Sequence, residues 1–376
     1  MKQFLNIKNY KIPLKDFVFL IICISSYIPF MNYNLFNKLV IVSGVWDVFL
    51  ILVMFFVGLI GHVKARFLKE HWRILIACTI LVFDFLLGRL AISMFINYII
   101  VLLTVPCILC VVNSKNSIFI FAYSTIIFGV IFSLVSKDWF NPNSVGMLMY
   151  ICSGMAIVLY KLKKNKIFFA LAVYFFVQVY LSVSRSSILA LLLLILLCWK
   201  GRLIFRKKLL FNIFNMAIFS LLLIIPCVYM FFYYKRLNFE LFGLNKTIYS
   251  GREMIWLQYI NLLNNNKSWL TGLSNYYEVD VIGYNLHNSL FGIIVALGIP
   301  VAILFFHNLL LVCRKSYCRI AKDEVKQLCY FIFCGLLIIN SMETAMITYS
   351  YAFIMFFALG FACKKENFSV SEGKMA

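Results

Sequence analysis

The chain has 376 residues, of which 64% are hydrophobic and only 13% charged, with a formal net charge of +21. That composition excludes a soluble globular domain, which could not bury so much apolar surface and stay dissolved. Apolar runs recur from end to end, so the chain reads as an all-α polytopic membrane protein.

Lys11 and Lys15 precede the first short apolar run, but no small-x-small cleavage site follows, so it reads as a first anchor. The apolar runs predict about twelve transmembrane helices, roughly over 17–30, 39–60, 73–88, 91–112, 117–135, 144–160, 167–183, 186–199, 209–234, 287–312, 327–342 and 345–363. Residues 1–234 then hold helices one to nine, 235–286 form one large polar loop, and 287–376 hold the last three helices and a tail. Several runs fall short of the roughly 20 residues that cross a bilayer untilted, so their ends extend into the loops.

Basic residues orient the bundle. With both termini cytoplasmic, all but nine of the 35 lysines and arginines lie on inner segments, Lys200–Lys208 among them; the nine are Lys38, Arg89, Lys137, Arg185, Lys235, Arg236, Lys246, Arg252 and Lys267. This places the 235–286 loop outside. The net charge is mostly this inner-face bias, which favours anionic lipid headgroups and calls for no nucleic acid. Trp72, Trp139 and Trp199 fall at predicted membrane boundaries. None of the twelve cysteines falls in an outward loop, and Cys107-x-x-Cys110 lies in an apolar helix with no histidine beside it, which predicts packing and no disulfides.

The outward loop is the least apolar long stretch. Ser250 with Glu253 three residues on forms a capping-box pattern, predicting a helix from Gly251. Ile255, Trp256, Tyr259, Ile260, Leu262 and Leu263 give it one apolar face. Arg252 falls in its first turn, where the macrodipole disfavours a cation unless an anion binds there. A solvated arginine is the plain alternative.

Polar residues within spans are costly and therefore informative. Asp47, Asp84 and Glu343 lie in the outer half and read as interhelical pairing groups, for example Asp84 with Arg89. Arg185 differs, sitting in Ser182-Val183-Ser184-Arg185-Ser186-Ser187 between two very apolar helices. Of the four histidines, His62, His71 and His307 lie toward the inner side and His287 alone faces outward, where the loop re-enters the membrane. Three outward arginines (Arg89, Arg185, Arg252) beside one histidine suit a diphosphate held bidentately and a neutral imidazole that accepts a hydroxyl proton. The bland alternative for His287 is a tether between loop and helix.

Six short patterns, taken together, carry a resemblance. They are Ser250-Gly251-Arg252 with Trp256, Leu270-Thr271-Gly272, His287-Asn288-Ser289-Leu290, Leu297-Gly298-Ile299-Pro300, and upstream Asn141-Pro142-Asn143 with Ser184-Arg185-Ser186-Ser187. In order and spacing they resemble the O-antigen ligase and polymerase superfamily, the Wzy-type polymerases and WaaL-type ligases. The similarity spans roughly Asn141 to Pro300. The glycine-rich stretch usual before the histidine is thin here, and the loop is short, as in polymerases.

The resemblance implies a GT-C-like membrane glycosyltransferase fold with one large extracytoplasmic loop, in a bacterial plasma membrane. It implies a polymerase of surface polysaccharide repeat units, with an undecaprenyl diphosphate-linked oligosaccharide as donor and a sugar hydroxyl of a second lipid-linked unit as acceptor. Arg185 and Arg252 would bind diphosphate and His287 would be the base. Arg89, Asn143, Trp256 and Asn288 would assist substrate binding. No cofactor or metal is implied, and the partners are the lipid bilayer and a chain-length regulator protein. Three rivals differ in class. A ligase shares the chemistry and uses lipid A core or a protein as acceptor. A transporter or flippase should show paired halves or midplane charges, which are not found. A metal-dependent transferase would use Glu278 and Asp280, spaced as acidic-x-acidic near His287.

Overall fold

The computed structural model describes residues 14–27, 65–112, 116–135, 141–236, 240–241, 246–247, 251–273 and 286–365. Among them are twelve α-helices: α1 (Leu14–Ser25), α2 (Ala65–Leu86), α3 (Ile92–Val111), α4 (Ser117–Val135), α5 (Pro142–Lys163), α6 (Lys166–Leu181), α7 (Arg185–Lys200), α8 (Lys208–Tyr234), α9 (Arg252–Asn265), α10 (Ser289–Ala321), α11 (Glu324–Asn340) and α12 (Tyr349–Cys363). Six helical segments are long and apolar enough to cross a membrane, as a helical membrane protein requires. The helix expected over 39–60 lies outside the described residues, as do Asp47, Glu278 and Asp280.

Every other expected span has a helix, and the boundaries shift for physical reasons. α2 begins eight residues before the expected span, because a polar stretch precedes the apolar run; the two are separated by a non-helical backbone at His71 (φ −115°, ψ 19°). α5 begins at Pro142 rather than 144, with Asn141 Oδ1 accepting from Asn143 N at 2.9 Å. Proline at the first helical position loses nothing, since its missing N–H would have had no partner. α10 runs on to Ala321, well past its apolar portion.

α5 and α11 are buried over most of their length, and the Tyr150 hydroxyl ties them by donating to Ile332 O at 3.1 Å. α7 and α8 lie at the periphery and leave large apolar side chains such as Leu192, Leu196, Leu209 and Ile213 exposed. The N-termini of α5, α7 and α10 and the C-termini of α8 and α11 gather at one end of the bundle. At the other end Lys161 and Arg202 both pair with Glu324, and Arg319 Nη1 and Lys326 Nζ donate to the Cys363 and Lys364 carbonyls at 2.7 and 2.8 Å. Cations there complement the negative end of α12. The described cysteines are free thiols.

Between α8 and α9 two short strands, β1 (Glu240–Leu241) and β2 (Lys246–Thr247), pair antiparallel. α9 has the apolar face its spacing predicts: Trp256, Tyr259 and Leu263 are buried against Leu286, Phe291, Val295 and Met342. Its start differs from expectation. The first helical residue is Arg252, Gly251 is the N-cap in a left-handed conformation (φ 81°), and no side chain caps it; Ser250 lies outside the described residues.

The turn after α9 locks onto a break in α10. At Gly298 (φ 85°, ψ 168°) the helix is interrupted, so the Val295 carbonyl and the Ile299 amide, partners in an unbroken helix, are released. Leu273 N donates to the first at 2.6 Å, and Ile299 N donates to Trp269 O at 2.9 Å. The contact leaves no room for side chains: a Cβ on Gly298 would lie 2.2 Å from Leu270 O, and one on Gly272 would lie 2.5 Å from Ala296 O. Two of the six sequence patterns, Leu270-Thr271-Gly272 and Leu297-Gly298-Ile299-Pro300, are thus the two halves of one joint.

Gly298→Ala should therefore lower the thermal midpoint of the solubilised protein more than Gly88→Ala. Gly88 also has a positive φ (71°), with no atom within 4 Å of an added Cβ. A side chain at positive φ costs about 1–3 kcal/mol at either position, and only Gly298 adds a backbone clash. Equal shifts would mean the joint is loose.

Candidate functional site

A cavity of about 980 Å³ opens at the end of the bundle where those helix ends meet. Its polar lining includes Asn143, Arg185, Ser186, Arg252, His287 and Ser341; its apolar lining includes Leu189, Ile225, Met254, Ile255 and Ile338. The first residues of α5, α7 and α9 all border it, so the positive dipole ends of three helices meet at one space. Such a space favours an anion.

Arg185 is the first residue of α7, held by a strained junction. Val183 adopts φ 54°, an uncommon state for a β-branched residue, and the Ser184 hydroxyl donates to Ser187 Oγ at 3.0 Å inside the bundle. Arg185 is hydrogen-bonded to Tyr229 of α8, whose ring meets that of Trp256 edge-on at 6.4 Å. α9 supplies Arg252 from its first turn. Arg252 Nη1 donates to the Met342 carbonyl, and Nη2 lies 2.7 Å from Glu343 Oε1, with both side chains largely buried. The carboxylate offsets the cost of a cation at a helix N-terminus.

His287 precedes α10 in a left-handed conformation (φ 49°), with Nδ1 3.3 Å from Glu343 Oε2. In the tautomer whose Nδ1–H donates to that carboxylate, Nε2 of the neutral ring is left as a hydrogen-bond acceptor. The chemistry available is cationic recognition by Arg185 and Arg252 beside an oriented imidazole.

Four of the seven expected site residues therefore line one cavity: Asn143, Arg185, Arg252 and His287. Three do not. Arg89 pairs with Asp84 at 3.5 Å, half exposed, at the α2–α3 connection. This is the pairing expected for Asp84, and it takes Arg89 out of the cluster. Trp256 is fully buried, and its Nε1 donates to the Leu286 carbonyl at 2.5 Å, anchoring α9 over the bundle.

Asn288 is also fully buried and makes three hydrogen bonds to backbone. Its Oδ1 caps α10 by accepting from Phe291 N at 2.7 Å, while Nδ2 donates to Leu222 O at 3.0 Å and Ser341 O at 2.7 Å. Leu222 O needs this outside partner because Pro226, four residues on, has no N–H to give it. Asn288 is a brace for α8, α10 and α11 and is not among the residues that line the cavity.

Two residues that contact the charged groups of the site escaped the sequence reading. Tyr229 lies in an unbroken apolar run and sends no signal of its own. Glu343 stands out as an acid between apolar helices, but reads as a structural pairing group; its partners prove to be Arg252 and His287 themselves.

Asn288→Ala would leave the Leu222 and Ser341 carbonyls buried without that donor, at about 1–3 kcal/mol for each unsatisfied group. It should lower the thermal midpoint strongly, whereas His287→Ala should leave it near wild type. A wild-type midpoint for Asn288→Ala would return this residue to the ligand-binding candidates. No family model, curated protein or solved structure matches the chain.

Proposed function

We propose that the cavity is the active site of a membrane glycosyltransferase that polymerises surface-polysaccharide repeat units. The supporting observation is the convergence of Arg185, Arg252 and His287, far apart in sequence, on one anion-favouring cavity with an apolar wall. A glycan on undecaprenyl diphosphate matches that lining: the diphosphate meets the arginines and helix N-termini, and the polyprenyl chain meets residues such as Leu189 and Ile225. In this reading the cavity end is extracytoplasmic, both termini are cytoplasmic, and the bundle is of the GT-C-like type.

The reaction asks little of the protein beyond charge and placement. An acceptor hydroxyl attacks the anomeric carbon, its proton passes to His287 Nε2, and the carbon–oxygen bond to phosphate breaks. The electron pair leaves with undecaprenyl diphosphate, whose charge Arg185 and Arg252 neutralise. A positioned base typically contributes 10²–10⁴-fold.

Arg185→Ala, Arg252→Ala and His287→Ala cells should each lose long-chain polysaccharide, accumulate single lipid-linked units, and keep the protein in the membrane. Lysine should rescue either arginine poorly, because a point charge does not reproduce bidentate phosphate contacts. Normal chain lengths in Arg252→Ala cells would sink the assignment. The acceptor recovered from extracted glycans separates a polymerase from a ligase.

The orientation has its own test. A cysteine introduced near Asn265 should react with an impermeant thiol reagent in intact cells, against a background lacking the exposed native cysteines. Labelling only after the cells are broken would reverse the topology.

A further inference from the structure

Glu343 is shared between the two parts of this site. One carboxylate oxygen lies 2.7 Å from Arg252 Nη2 and the other 3.3 Å from His287 Nδ1. Its backbone is pinned. The Ser289 hydroxyl, which also lies 2.9 Å from Asn340 Oδ1, is 3.0 Å from the Glu343 carbonyl, and Asn288 holds Ser341 O two residues earlier. The side chain can therefore redistribute between its partners while the peptide stays fixed. Its two partners are the groups assigned to the leaving group and to the attacking hydroxyl.

We propose that Glu343 is a positioning residue that couples donor binding to the base, an inference that rests on the transferase reading of the cavity. In the free enzyme its carboxylate neutralises Arg252, so the charge available to His287 is divided. A diphosphate arriving at Arg252 competes for the same guanidinium and repels the carboxylate. Glu343 is then left to His287, where it holds Nδ1–H, aims Nε2 at the acceptor hydroxyl and stabilises the imidazolium formed when the proton transfers. The bonds made and broken are those of the transfer itself, and no further reactant is needed. The base is armed only once a donor is seated, so the donor binds before the acceptor is activated.

This makes binding and turnover move in opposite directions, which a merely structural carboxylate would not do. In nanodiscs of purified protein, Glu343→Gln should bind undecaprenyl diphosphate several-fold more tightly than wild type, because Arg252 no longer has an anionic partner to leave. Its turnover of lipid-linked repeat units at saturating donor should fall at least ten-fold. Arg252→Gln should instead bind undecaprenyl diphosphate more weakly.

If Glu343→Gln does not fold, Glu343→Asp carries the same test. One methylene shorter, it cannot span both partners, and should show the same split at smaller amplitude with a near-native thermal midpoint. Weaker undecaprenyl diphosphate binding by the Glu343 variant, matching Arg252→Gln, would overturn the proposal and make Glu343 a support for Arg252. Unchanged turnover would overturn it too. A wild-type protein that neither binds undecaprenyl diphosphate nor extends glycans would bring down the transferase reading itself.

Discussion

Buried backbone groups in this apolar bundle need partners, and helix ends and breaks are where those partners run short. At the cavity end the missing partners come from other elements. Asn288 supplies the Leu222 carbonyl stranded by Pro226 and the Ser341 carbonyl at the end of α11. Ser289 reaches the Glu343 carbonyl, Asn340 accepts from Met346 N at 2.6 Å, and Arg252 takes the Met342 carbonyl. The turn from residue 340 to 346 is thereby fixed by side chains of α9, α10 and α11, and Glu343 projects from it toward both Arg252 and His287. The groups that satisfy this turn also set the geometry of the site.

The same demand explains the joint between α9's following turn and α10. A helix broken at Gly298 would leave Val295 O and Ile299 N orphaned in an apolar setting, and the 269–273 turn takes both. Fixing that turn fixes the C-terminal end of α9, while Trp256 fixes its middle through Leu286 O. Arg252, at the other end of this short helix, is thus positioned by this joint as well as by its own bonds to Met342 and Glu343. A substitution at Gly272 or Gly298 acts on the site through this lever.

Electrostatically the site is balanced in part. Three helix N-termini and two arginines border the cavity, and beside it Glu343 brings compensation through its pairing with Arg252. A fully neutralised cavity would have no attraction for an anion, and an uncompensated one would be costly in an apolar bundle. A carboxylate shared with His287 lies between these limits, and an arriving anion can displace it.

The sequence by itself determined the class and most of the helices, because apolar runs and their polar interruptions are local properties that the period of a helix converts directly into burial. It marked α9's buried face for the same reason. It also marked Arg185, Arg252 and His287, since charge at the edge of a membrane span is expensive enough to stand out. What it did not decide was pairing. Arg89 and Arg252 look alike as outward arginines, yet one meets Asp84 five residues away and the other meets Glu343 ninety-one residues away. Asn288 and Trp256 lie beside site residues in the chain, but face inward to backbone carbonyls that only the packing of α8, α10 and α11 brings near. Glu343 reads as a structural acid until the fold carries α11's end to the mouth of the cavity. Local patterns say that a polar group needs a partner in an apolar bundle, and only the tertiary structure says which one it receives.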